Sequence, residues 1–246
     1  MRRRVIIGAA AFLAVGGALR PCAPPAARAQ PAPPTTAPAT APATRPATAP
    51  ATAPADLATP KGALRAFAAA LHDGDAGQLR RAVATTNKSE DRMLGALADW
   101  AAALTRLHDT TARTFGDGGA ARFTGDNDAQ YAQSLARIDA AEVVVDGNKA
   151  QVRYPGDAEP QYELTRVGGE WRVPMAQFSH GADAAALDRR IAESRAQTQI
   201  ILELVGEIEA GKYRTAESAS DAWRGKIMQA LGLRTPTTGA TTKPGA

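Results

Sequence analysis

Residues 142–178, "EVVVDGNKAQVRYPGDAEPQYELTRVGGEWRVPMAQF", constrain this chain more than any other stretch. Val143 and Val145 alternate with polar neighbours, and Asp146-Gly147 is a hairpin signal. Ala150, Val152 and Tyr154 alternate on the return strand, and the "PGDAEP" turn leads to Tyr162 and Leu164. Gly168-Gly169 makes a second tight turn before Trp171, Val173 and Met175. Such a run predicts an antiparallel four-stranded meander with one apolar face. Pro174 has no N–H to give, so its strand is expected at an edge or with a bulge there. A sheet with one greasy face needs a cover, and the flanking sequence is helical.

Thr59 reads as an N-cap with Pro60 in the first helical position, followed by Leu64, Phe67, Ala68 and Leu71 on one face. Gly74 ends that helix, and Asp75 starts another with Leu79 and Val83 on its apolar edge. A long helix then follows from a cap at Ser89, with Met93, Leu97, Trp100, Leu104, Leu107, Thr111 and Phe115 as its stripe. Glycines interrupt the pattern after Phe115, and residues 121–123 are a candidate fifth strand. Asp126 and Asp128 suggest a calcium loop, but the expected glycine is absent and Arg137 stands at the closing glutamate position. Asp126 as the cap of one more helix is the better account. Beyond the sheet, Asp183 begins a helix carrying Leu187, Ile191, Thr198, Ile201, Val205 and Ile208. Thr215 begins the last, with Ala219, Trp223 and Ile227. The fold class is α+β.

The basic sequence pI of about 9.5 invites a nucleic-acid reading. Residues 1–29 remove it. Arg2, Arg3 and Arg4 precede an uncharged run from Val5 to Leu19, and Ala27-Arg28-Ala29 is a small-residue cleavage pattern, the layout of a signal peptide. Cleavage after Ala29 takes five of the 29 Lys and Arg, leaving 24 against 25 Asp and Glu, a net charge of −1. The expected location is the periplasm or cell envelope, with either the general secretory or the twin-arginine route open. Cys22, the only cysteine, goes with the leader, and Arg20-Pro21 before it fits a lipidation site poorly. Residues 30–58 are almost wholly Pro, Ala and Thr and cannot build a core. As an extended spacer they reach about 90 Å at ~3.1 Å per residue. Residues 235–246 are of the same disordered character.

Helices first, then a meander closing on Gly-Gly-Glu-Trp-Arg-Val, resembles the nuclear transport factor 2-like superfamily. The features that carry it are "ALRAFAAALHDGDAGQLRRAV", "VVVDGNKAQVRY" and "YELTRVGGEWRV", within residues 59–178. The resemblance implies N-terminal helices and a curved sheet packed on a long helix, making a cone with a pocket at its mouth. Its members include isomerases, dehydratases and non-catalytic binding domains, so fold alone does not give function. Residues 179–234 depart from the family pattern as a C-terminal helical extension, expected to cover the pocket or a sheet face.

Chemistry in such a cone requires a buried proton-transfer group. His72 stands beside the helix-ending Asp73-Gly74, His108 borders the long stripe, and His180 follows the last strand. No two histidines have zinc-ligand spacing, and no nucleophile elbow or phosphate loop is present. No metal or cofactor is therefore expected. Trp100, His108, Tyr131, Tyr154, Tyr162, Trp171, Phe178 and His180 are the candidate lining of an apolar ligand site, with core packing as the alternative for the aromatics. Three readings stay open. The first is an exported non-catalytic domain binding a small apolar ligand or an envelope protein. The second is a cone enzyme of isomerase or dehydratase type using His108 or His180. The third is an assembly module pairing through the Leu187–Ile208 stripe.

Overall fold

The computed structural model describes residues 56–179 and 182–230. Helix α1 (Pro60–Asp73) starts where Thr59 accepts the Gly62 N–H at 3.1 Å, and ends at Gly74, which takes the left-handed conformation at φ +66°. Asp75 then accepts from Gly77 and Gln78 to cap α2 (Ala76–Ala82). The chain straightens into a two-residue strand, β1 (Val83–Ala84), before α3 (Lys88–Phe115). The cap of α3 is Asn87 and not Ser89: the Asn87 side chain accepts from the N–H groups of Ser89 and Glu90 at 3.0 and 2.9 Å. Asn87 prevails because Glu90, three residues on, folds back and accepts from the Thr86 N–H at 2.6 Å, a variant of the capping box. Ser89 instead accepts from Arg92 within the helix.

Helices α4 (Asp117–Thr124) and α5 (Asn127–Ala140) follow, the second capped by Asp126 as its sequence requires. The meander is β2 (Glu142–Asp146), β3 (Lys149–Arg153), β4 (Tyr162–Val167) and β5 (Glu170–Pro174). A short α6 (Ala176–Ser179) leads to α7 (Ala184–Glu209), capped by Asp183, and α8 (Ala216–Ala230). The class is α+β, as expected, with one strand more than the meander. The sheet order is β1-β5-β4-β3-β2, and β1 lies parallel to β5.

The fifth strand is Val83–Ala84, which the sequence suggests as a helix edge, whereas residues 121–123 belong to α4. The β-branched run Val83, Thr85, Thr86 favours extension, and Phe123 is buried (7% exposed) only through the helical surface of α4. Pro174 also sits differently from expectation, ending a strand that lies inside the sheet. Its missing N–H is replaced by a side chain. Gln177 accepts from the Glu163 N–H at 3.1 Å and donates to the Glu163 carbonyl, patching the ladder where proline interrupts it.

Two cores result. On the sheet, Ala150, Val152, Leu164, Trp171 and Val173 are buried along the face that meets α1, while Gln151, Glu163 and Glu170 point to solvent. Helix α1 is buried nearly all round, at Ala63, Leu64, Ala66, Phe67, Ala69 and Ala70, because it contacts β5, α2, α3 and α5 together. The second core is helical. Leu107 of α3 and Phe123 of α4 pack with Ile201, Leu204, Val205 and Ile208 of α7, and Ala219 of α8 closes it. The α7 stripe, a candidate surface for pairing with another chain, is thus buried within its own chain on α3.

Candidate functional site

The sheet's solvent face carries a groove of about 390 Å³, where β1 and β5 meet α2 and the first turns of α3. Val83, Ala84, Leu94 and Val167 give it apolar walls, and Thr85 and Asp91 stand at one side with the Thr85 hydroxyl donating to the Asp91 carboxylate. Two guanidinium groups complete it, from Arg80 of α2 and Arg172 of β5. Arg172 is held by Glu170 at 2.9 Å, and its buried Nε has no hydrogen-bond partner. Arg80 is exposed and has no ion pair among the described residues. The volume lies within the range of small-molecule sites, and the mixture of apolar wall and fixed cation is the kind that orients an amphipathic anion.

None of the seven candidate lining residues among the described residues borders this groove. Trp100 is half-buried against the helical core. His108 is engaged through Nδ1 with the Thr124 hydroxyl at 2.9 Å, tying α3 to α4. Tyr131 stacks on His72 with ring centroids 4.3 Å apart, and burial, then the Asp73 charge, pushes its hydroxyl pKa up. Tyr154 and Tyr162 do come together, edge to face at 6.1 Å, with the Arg137 guanidinium 4.4 Å from the Tyr154 ring. Arg137 also reaches Asp157 at 3.5 Å, so this cluster fastens α5 to the turn after β3. Burial raises the pKa of both tyrosines, and the neighbouring Tyr162 hydroxyl adds to the effect on Tyr154. Trp171 is a core residue, 4% exposed, and Phe178 stacks on Phe67 at 5.5 Å. His180 lies outside the described residues.

The described aromatics are therefore distributed over five separate packing settings: Trp100 on the helical core, Tyr131 on His72, Tyr154 with Tyr162, Trp171 in the sheet core and Phe178 on Phe67. His72 has its Nδ1 at 2.8 Å from Asp73 and its Nε2 at 3.0 Å from Asp128, so both ring nitrogens already face carboxylates and neither is open to a substrate. Among the described residues, no group of three or more His, Cys, Asp and Glu side chains stands ready to hold a metal ion. Among them also, no helix is long and apolar enough to cross a membrane.

Sequence reasoning missed the groove because its parts are far apart in the chain and individually unremarked. Arg80 reads as a helix surface charge and Arg172 as an outward strand position. The available signal was the alternation itself: Val167 and Arg172 fall on the face opposite Trp171, and Val167 stays 44% exposed. The groove and the sheet define an α+β domain with a solvent-facing cleft at one sheet edge. Comparisons with family models, with curated proteins and with solved structures gave no match to this chain.

Proposed function

We propose that this chain is an exported, non-catalytic binding domain of the nuclear transport factor 2-like type, carried on its Pro/Ala/Thr spacer in the periplasm or cell envelope. Its ligand is a small molecule with an apolar body and an anionic end, taken in the groove between β1, β5, α2 and α3. The observation that carries this reading is the pairing of an unengaged Arg80 and a partly engaged Arg172 with the Val83–Leu94–Val167 wall. A carboxylate on Arg80 exchanges a hydrated cation for a charge-assisted hydrogen bond, and the tail removes exposed Val167 from water. Support for a binding role over acid–base chemistry comes from the histidines: His72 is held by two carboxylates and His108 by Thr124. Support for the family reading comes from the order of helices followed by a meander turning at Gly168-Gly169.

The test uses octanoate and octanol, which share a tail and differ in charge. Calorimetric titration of the full chain is expected to show saturable octanoate binding that weakens about tenfold in Arg80→Ala. Octanol binding as tight as that of octanoate, or octanoate binding unchanged in Arg80→Ala, contradicts the assignment.

A further inference from the structure

The far edge of the sheet from the groove is β2, and among the described residues no strand lies along its outer side. Glu142–Asp146 pairs with β3 alone, and among the described residues no other backbone segment bonds to it. Its sequence, EVVVD, holds two of the most exposed large apolar side chains of the described residues, Val144 at 66% and Val145 at 54%. An edge strand of this composition is a template for another strand, and proteins ordinarily blunt such edges with lysine, proline or a bulge. Here none of these is present; the protection is a carboxylate at each end.

The register tells which backbone groups are free. Val143 lies opposite Val152, and the Val152 carbonyl turns the other way, accepting from the Gln161 N–H at 2.9 Å. Val143 is therefore in a non-hydrogen-bonded pair with β3, and by the two-residue period so is Val145. Their N–H and C=O groups point outward. The β3 side also shows which sequence this strand accepts. Lys149 pairs with Asp146 and Arg153 with Glu142, the latter as an ion pair, around the middle residues Ala150, Gln151 and Val152.

We propose that the outer edge of β2 captures an extended segment of another protein, antiparallel, with the pattern basic–apolar–apolar–apolar–basic. The two cations stand opposite Glu142 and Asp146, and the apolar residues cover Val143, Val144 and Val145. Four backbone hydrogen bonds through Val143 and Val145 supply affinity, and the charges supply register. A second copy of this chain is the wrong partner. Symmetric β2–β2 pairing about Val144 sets Glu142 against Asp146 twice, with like charges directly opposite. This docking site lies at the opposite sheet edge from the proposed ligand groove and stands independently of it.

The probes are two fluorescein-labelled peptides, GKIVVRG and GEIVVEG, titrated into the full chain by fluorescence anisotropy. The basic peptide is expected to bind and the acidic one to fail, with Asp146→Lys weakening the basic peptide about tenfold. Val145→Pro removes an outward N–H without touching the β3 ladder and is expected to abolish binding while circular dichroism stays native. Hydrogen exchange provides the second readout: the Val143 and Val145 amides should gain protection on adding the basic peptide. No binding by the basic peptide, equal binding of the two peptides, binding that survives Val145→Pro in a folded protein, or protection confined to other amides overturns the proposal.

Discussion

Gly74 shows how one position can fix the relation of two helices. Its φ of +66° is a conformation in which other residues are strained. A Cβ there would also stand 2.8 Å from the Thr105 hydroxyl oxygen and 2.9 Å from the Ala102 Cα, both on α3. Gly74→Ala is expected to destabilise the fold by about 1–3 kcal/mol through backbone strain and the shift of α3. Chemical denaturation checks it, and a loss below ~0.5 kcal/mol would mean that α1 and α3 are not so closely apposed. Glu207 makes a different residue-scale statement. Hydrogen bonds from Lys212 and then the Tyr213 hydroxyl hold its pKa down to about 2 against an ordinary 4.5. A carboxylate depressed in the folded state adds stability above its unfolded pKa, and that stability fades as pH falls from about 4.5 to about 2. Glu207→Gln is expected to lower stability by ~1 kcal/mol at neutral pH, reduced by solvent screening. The difference in Tm from the parent should close across that acid window; a pH-independent difference would contradict the ion pair's role.

At the scale of elements, the turns and caps were legible because their chemistry is local. Thr59, Gly74, Asp75, Asp126 and Asp183 act where the sequence places them, and both hairpins turn at their glycines. Val83–Ala84 was not legible as a strand, since two residues carry no periodicity and the pairing partner lies some ninety residues on. Pro174 was misread for a related reason. The proline rule assumes that the ladder is completed by backbone, and here Gln177 completes it. Gln177→Ala is expected to cost about 1 kcal/mol and to raise hydrogen exchange at the Glu163 amide. Unchanged exchange at that amide would show that the side chain is not the bonding partner. The partners of the aromatics were not legible, because alternation and helical stripes tell which side chains are inside, and not whether they face a space or one another. Tyr131 meets His72, Phe178 meets Phe67, and Trp171 meets the sheet core.

For the whole molecule, the boundary at residue 178 between the helix-and-meander segment and the helical extension marks a change in sequence pattern, while packing runs across it. Leu107 on α3 is fully buried in one cluster with Ile201, Leu204 and Val205 of α7. Truncation after residue 179 is therefore expected to abolish cooperative unfolding, since it uncovers the long face of α3. A sharp thermal transition in residues 56–179 alone would show that the first core is autonomous. The same integration puts the two proposed binding surfaces on a rigid support. The groove is built from α2, β1, β5 and α3 at one sheet edge, and the open strand β2 is the other edge.

The claim on which the functional account rests is that the groove, and not the dispersed aromatics, receives a small anionic amphiphile. Chemical-shift mapping of the labelled full chain during octanoate addition tests it most directly. The account predicts saturable shifts grouped at Val83, Ala84, Thr85, Leu94, Val167 and the Arg172 side chain. Shifts grouped instead around Tyr131, Tyr154 and Tyr162, or none at saturation of the titration, would contradict it.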